Sequence, residues 1–425
     1  MAGEKIFILA DDLTGANDTA IQFVKHGFSA LVAIDDSLSN PPVFSGYDVV
    51  SINSDSRRMD GQTAYDVTRN LIRRLKGAGL DGFFYKKVDS VLRGNPGQEL
   101  AAIIDELGIP LAVAAPSFPA NLSILEGGVL KSGKTVPQAS IDAVKLFADG
   151  TGKKTAGIPL DVIRQGGAAG FVAEKHKEGF QVFVADAVSD SDLAAISAVP
   201  ASVGSPLVLA GAGALANQIA TAAAAGAAAA AGAKPFLPDG CSPVLAICGT
   251  RQGETVAQIS ALCEKLSAPI VRFDTALVAA GKGEQAVELA FEQARKSMEE
   301  NPALCIVCVD SAFGGKIPEG GVVWKDEVAE AAESVAISQA LGSLASRLAA
   351  SFGFRLIISS GGDTSLELCK CLDVQGIQPL SEIFPGIPIG RIEGGLCGGR
   401  HIITKSGRFG DKDVLVEIVR RLAGL

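Results

Sequence analysis

Short apolar runs recur along the chain, separated by longer stretches in which apolar residues return every three or four positions. A brief apolar run bounded by turn formers reads as a buried strand, and the 3.6-residue repeat as an amphipathic helix. In the first half this predicts strands at 6–10, 31–34, 49–52, 83–85, 111–114, 182–184 and 206–209, with helices over 16–26, 63–75 and 97–107. In the second half it predicts strands at 244–248, 270–273, 305–309, 356–359 and 402–404, with helices over 255–266 and 337–351. Alternation of this kind implies mainly parallel sheets covered on both faces by helices. Between the halves lies an Ala-rich segment around 219–233, followed by Lys-Pro-Phe-Leu-Pro-Asp-Gly at 234–240, whose prolines and glycine mark a linker. The expected architecture is two α/β domains, 1–234 and 235–425, with the active site in the cleft between them.

A length of 425 residues fits this division, because one hydrophobic core rarely serves so long a chain. The formal net charge of −9 disfavours nucleic acid or an anionic membrane as partner, so an anionic ligand needs a local cluster of Lys and Arg. The apolar run before Asp11 is only five residues long, too short for a signal-peptide core, and the Ala-rich segment lacks the Leu, Ile and Phe of a membrane span. The eight Cys fall mostly inside apolar runs, which suits reduced thiols and a cytoplasmic location.

Ligands of open α/β sheets gather outside the carboxyl ends of strands. The first strand ends in Ala10-Asp11-Asp12-Leu13-Thr14-Gly15, paired carboxylates flowing into a helix start. One of them could serve as a general base, and either could equally cap the helix. Arg57 follows the third strand, and Lys86, Lys87, Asp89, Ser90 and Arg93 follow the fourth. Together they read as a pocket for a small anionic polyol, with Arg forks and Lys point charges for its carboxylate. In the second half, Gly249-Thr250-Arg251-Gln252, Gly361-Gly362-Asp363-Thr364 and the stretch from Thr404 through Gly407 to Asp411 follow strands. Glycines with Ser or Thr at strand ends let backbone amides approach phosphate oxygens, so these turns suggest a nucleotide cradle, with Asp363 and Asp411 as candidates for Mg²⁺.

Residues 128–135, GVLKSGKT, match the phosphate-loop pattern letter for letter. Pro137 follows where a helix interior should run, so the segment reads as a short hairpin instead. GAGALA at 211–216 has no acidic residue about 20 positions on to hold a ribose, which argues against a dehydrogenase. Cys305 and Cys308 share a predicted strand and face opposite ways, Cys369 and Cys371 lack a nearby partner, and His26, His176 and His401 have no ligand spacing, so no structural zinc is expected. The chain also lacks a G-x-S-x-G elbow.

The motifs ADDLTGANDTA (10–20), NSDSR (53–57), KKVDSVLRG (86–94), APSFPAN (115–121), GGDTSLELCKCL (361–372), PGIPIGRIEGG (385–395) and TKSGRFGD (404–411) resemble the four-carbon acid sugar kinases nearly end to end. The resemblance implies an N-terminal sugar-acid domain and a C-terminal ATP domain, with ATP and Mg²⁺ required and a homodimer as the candidate assembly. It places substrate contacts on Asp11, Asp12, Arg57, Lys86, Lys87, Asp89, Ser90 and Arg93, and ATP contacts on Thr250, Gly361, Gly362, Asp363, Thr364 and Gly407. The implied reaction is phosphorylation of the terminal hydroxyl of D-threonate, with D-erythronate and 3-oxo-tetronates as alternatives. The proton acceptor lies among Asp11, Asp12 and Asp89, with Asp12 and Asp89 preferred and Asp12 taken first. Two departures stand out: Leu122-Ser123-Ile124 replaces the Gly-Arg-Thr of many relatives, and Thr250-Arg251 stands where relatives often carry Ser.

Overall fold

The computed structural model describes residues 4–34, 44, 46–132, 140–226, 236–311 and 327–425. The chain divides into two compact units, Met1–Lys234 and Pro235–Leu425. In the first unit β1 (Ile6–Ala10), β2 (Ala30–Ala33), β3 (Val49–Asn53), β4 (Phe83–Lys87) and β5 (Leu111–Ala115) are buried along almost their whole lengths. A small antiparallel sheet, β6 (Ser123–Glu126), β7 (Val129–Ser132) and β8 (Ile141–Asp142), precedes β9 (Thr155–Ile158), β10 (Val182–Ala185) and β11 (Leu207–Gly211). The main sheet runs β2-β3-β1-β4-β11-β5-β10-β9, and every neighbouring pair is parallel.

Helices pack on this sheet through one apolar face. Helix Gly61–Gly77 is capped by Asp60, whose side chain accepts from the Thr63 amide, and buries Ala64, Thr68, Leu71, Ile72 and Leu75. Phe7 of β1 stacks on Phe84 of β4 with ring centroids 5.2 Å apart, at the centre of the core. Truncating a buried aliphatic there, such as Ile72, to Ala costs about 2–5 kcal/mol.

The second unit holds β12 (Val244–Cys248), β13 (Ile270–Phe273), β14 (Leu304–Val309), β15 (Leu356–Ser360), β16 (Gly376–Phe384), β17 (Ile387–Glu393) and β18 (His401–Lys405). Its strands run β13-β14-β12-β15-β18-β17-β16, parallel through β18 and antiparallel beyond. The terminal helix Val414–Ala423 buries Val414, Leu415, Val416, Ile418, Val419 and Leu422.

Each unit has one strand at which the chain reverses its direction of growth. From β1 it goes to β3 and β2 on one side, then returns to β4 on the other; from β12 it goes to β14 and β13, then to β15 and β18. Crevices outside the carboxyl ends of such switch strands are where open α/β sheets bind ligands.

Several elements depart from expectation. The β16–β17 hairpin does not read as strands because IQPLSEIF carries a Pro and an interrupted apolar run; it forms with a register shift between Pro379 and Ser381. At the phosphate-loop match β7 pairs antiparallel with β6 on one side and with Ile141–Asp142 on the other, and residues 133–136, the far side of the expected hairpin, lie outside the described residues. The Ala-rich segment forms helix Gly213–Gly226 before its remainder leaves the described residues, as do Lys234 and Pro235 of the linker.

Candidate active site

In the first unit, β3, β1 and β4 are adjacent, so their carboxyl ends deliver three loops to one edge. Asp12 caps helix Leu13–Val24, its Oδ1 accepting from the Gly15 amide at 2.9 Å. The cap and the site coincide, because Arg57 reaches both aspartates with one guanidinium. Its Nε and Nη2 donate to Asp11 at 2.8 and 2.8 Å, and its Nη1 and Nη2 to Asp12 at 2.6 and 2.9 Å. Asp89 takes a second fork, from Arg93 Nη2 at 2.6 Å and Nε at 3.1 Å, and lies 3.6 Å from Arg57 Nη2. Both Arg forks are thus paired with aspartates of the protein.

The two lysines differ. Lys86, 1% exposed, pairs at 2.7 Å with Glu99 of helix Pro96–Leu107, itself 1% exposed, and Ser56 donates to the other Glu99 oxygen. Lys87 is also buried, yet it makes no hydrogen bond or ion pair among the described residues. It lies against the start of helix Leu13–Val24, where a Cβ on Gly15 would come 3.0 Å from its Nζ. Its charge is balanced at longer range by Asp11, Asp12 and Asp89, and its hydrogen-bonding capacity is left for a ligand. Ser90 is half-buried, and its carbonyl accepts from the Ser123 hydroxyl.

The carboxylates are tuned apart. Burial alone would raise Asp11, but Arg57, Lys86 and Lys87 outweigh it and hold the carboxyl below its ordinary value. Burial raises Asp89 too, and Arg93 with Arg57 and Lys87 overcomes it, leaving this carboxyl far below the usual range. Asp12 goes the other way: burial, reinforced by the charge of Asp11, prevails over Arg57 and Lys87 and raises it. A raised carboxylate pKa is what a general base needs near neutral pH.

In the second unit, β12, β15 and β18 are likewise adjacent and parallel, so their following turns meet. The contacts tolerate only glycine. A Cβ on Gly249 would lie 2.1 Å from Thr364 Oγ1, and one on Gly407 2.7 Å from Thr250 Oγ1. Gly361 adopts φ +116 and donates its amide to the Lys405 carbonyl at 3.0 Å, tying β15's turn to β18. Gly362 and Asp363 open helix Gly362–Cys371, with the positive end of its dipole at this edge. The structure therefore gathers Thr250, Gly361, Gly362, Asp363, Thr364 and Gly407 into one cluster. Mg²⁺ needs only one or two protein carboxylates when phosphates and waters complete its shell, and half-buried Asp363 meets that requirement. Exposed Asp411 is a second candidate, and among the described residues no group of three metal-ligating side chains assembles.

The motif reading missed Glu99, Lys405, Thr255 and Gln258, all buried in or beside these clusters. Glu99 was visible only as an acid in a helical stretch, and Lys405 as one letter of TKSGRFGD. The glycines of the 211–216 match prove structural: a Cβ on Gly211 would strike Ala115 O at 2.7 Å, and one on Gly213 Asp18 Oδ2 at 2.6 Å.

A family model described as a sugar-binding N-terminal domain matches residues 6–219, and one described as a nucleotide-binding C-terminal domain matches 245–415. The chain is 30% identical to a D-threonate kinase of Bordetella bronchiseptica, over 99% of this chain and 98% of that protein. It is 28% identical to a D-erythronate kinase of Heliobacterium modesticaldum, over 96% and 94%. A solved structure from Salmonella typhimurium LT2 shares the fold with TM-score 0.77 at 23% identity, covering 99% of each chain. With the full-length similarity and both domain matches in hand, the chain belongs to the family of four-carbon acid sugar kinases.

Proposed function

We propose that this enzyme transfers the γ-phosphoryl group of MgATP to the terminal hydroxyl of a four-carbon sugar acid, D-threonate foremost, and works in the cytoplasm. The observation that carries the reading is Lys87, a buried ammonium that makes no hydrogen bond or close ion pair among the described residues, within the field of three aspartates at a switch strand, one of them with a raised pKa. Lys87 accepts the substrate carboxylate, while the Arg57 and Arg93 forks fix the three aspartates around it. Asp12 aligns the terminal hydroxyl and accepts its proton; Asp89, far below the usual range, is too weak a base for that role. Residues 1–234 hold the acid, and residues 235–425 hold the nucleotide on the turns after β12, β15 and β18. Mg²⁺, held by the phosphates with Asp363 and Asp411 as its candidate carboxylates, would neutralise developing charge. Catalysis otherwise rests on orientation and electrostatic complementarity.

The test is ADP release from MgATP with D-threonate, L-threonate, D-erythronate, 3-oxo-tetronates and larger aldonates. Turnover confined to D-threonate supports the reading. Turnover confined to D-erythronate, which the Heliobacterium relative's name favours, would move the substrate and leave the chemistry. ATP consumption with none of these acids, by folded protein, would refute it.

A further inference from the structure

Lys405 ends β18 with its side chain fully buried, and it faces neutral oxygens rather than a carboxylate. Its Nζ donates to the carbonyls of Ser406 at 2.9 Å and Phe409 at 3.1 Å, and approaches Thr255 Oγ1 at 3.4 Å. Thr255 in turn donates to the Gly407 carbonyl at 2.7 Å, and Gln258 Nε2 to the carbonyls of Phe409 and Gly410 at 3.0 and 2.9 Å. Three buried side chains thus draw the carbonyls of residues 406, 407, 409 and 410 inward. A planar trans peptide points its C=O and the following N–H in opposite directions. The amides of Gly407, Arg408, Gly410 and Asp411 must therefore face away from Lys405. These are four amides with no acceptor among the described residues. Gly410 has φ +85, the left-handed conformation that makes successive amides converge into an anion-binding concavity.

We infer that Lys405 is a positioning residue for nucleotide phosphate: it touches no ligand, but its pull on the Ser406 and Phe409 carbonyls turns the Gly407 and Gly410 amides outward, as Thr255 and Gln258 turn those of Arg408 and Asp411, so that the four form a cradle. The inference rests on the nucleotide reading of residues 235–425. It also explains why a cation without an ion-pair partner is retained in a core. Its charge adds to the potential under the cradle from behind, where a phosphate cannot compete for its hydrogen bonds.

The test begins with MgADP binding to the wild-type enzyme by calorimetry, followed by kinetics of Lys405→Met and Thr255→Val. Lys405→Met should raise KM for ATP about 10- to 100-fold, the effect of losing hydrogen bonds from a charged donor, while KM for the sugar acid stays put and kcat changes little. Thr255→Val, which frees the Gly407 carbonyl and removes the longer contacts to Lys405 and Ser360 but leaves the Lys405 bonds to the Ser406 and Phe409 carbonyls, should move KM for ATP the same way by less. A folded Lys405→Met enzyme with KM for ATP within twofold of wild type would overturn the inference, as would KM for both substrates rising together. Wild type that binds no MgADP would instead remove the nucleotide reading itself. Should Lys405→Met fail to fold, wild-type pH dependence decides. Burial brings the Lys405 ammonium down to about 8, against support from Cys248 at the end of β12 and Glu254 on helix Gly253–Leu266, with exposed Arg408 in the turn itself. MgADP affinity should therefore fall several-fold between about pH 7 and 9.5, and a flat profile over that interval overturns the inference.

Discussion

The Lys86–Glu99 pair offers the sharpest test of how the β3-β1-β4 edge, proposed to bind the acid, is held together. Both side chains are 1% exposed and 2.7 Å apart, and Ser56 completes Glu99's other oxygen. In Glu99→Gln the amide oxygen can still accept from Ser56. The amide NH₂ then faces the Lys86 ammonium, donor against donor, in a site without water to intervene. Removing one partner of a buried pair costs about 3–5 kcal/mol, because the remaining charge stays desolvated. For a unit of this size each kcal/mol lowers Tm by about 2–4 °C, so a fall of about 6–20 °C is expected. Differential scanning calorimetry of the full chain should show the transition of the Met1–Lys234 unit moving down and the other staying in place. Added 1 M NaCl should leave the difference intact, since buried charges are poorly screened. Lys86→Met combined with Glu99→Met should recover most of the loss, because two apolar side chains leave no orphaned charge. A shift below about 2 °C in the single variant would refute the reasoning, for it would mean that Lys86 is solvated or neutral in the folded protein.

Other expectations follow from the same geometry. Asp12→Asn should keep the helix cap, since Asn caps as well as Asp, yet lower kcat by about 10²–10⁴; near-wild-type turnover would remove Asp12 as the base. Because Asp12 is raised and must be ionised to accept a proton, kcat/KM should fall as pH drops through a value above the ordinary aspartate range. A pH–rate profile unchanged in form by Asp12→Asn would contradict that assignment. Lys87→Met should raise KM for the sugar acid about 10- to 100-fold and raise the pKa of Asp11 and Asp89, which its charge helps to hold down; steady-state kinetics read the first. Gly249→Ala forces its Cβ to 2.1 Å from Thr364 Oγ1, so the turn after β12 must shift. Nucleotide affinity should drop at least tenfold by calorimetry while acid binding in the other unit is retained.

The fold was largely legible because buried parallel strands are written as uninterrupted apolar runs: IFILA, LAVAA and VLAIC mark β1, β5 and β12 without help from tertiary context. What escaped were β6, β8, β9 and the β16–β17 hairpin, short, partly exposed or Pro-containing elements whose pairing depends on tertiary neighbours. The candidate site was legible as residue types at strand ends, and Asp11, Asp12, Arg57, Asp89 and Arg93 do share one array. Which charges pair with which was not legible. Sequence order cannot reveal that Arg57 spans two aspartates 45 and 46 positions away, or that Glu99 takes Lys86 and leaves Lys87 without a hydrogen bond among the described residues. Lys405 was hidden for a related reason: its role runs through carbonyl oxygens, which no side-chain motif records.

The array around Arg57 also bears on how the acid arrives. Asp11, Asp12, Asp89 and Glu99 stand against Arg57, Lys86, Lys87 and Arg93, four negative groups and four positive, so the formal sum is zero. An array that cancels internally projects little potential beyond a Debye length, and the chain as a whole carries −9. If this array holds the acid as proposed, the anion is recruited by collision and held only on contact, without an attractive funnel. Ionic strength should then act in the opposite sense from a basic funnel: moderate salt screens the repulsion of the whole molecule and leaves capture of the acid unchanged or slightly faster.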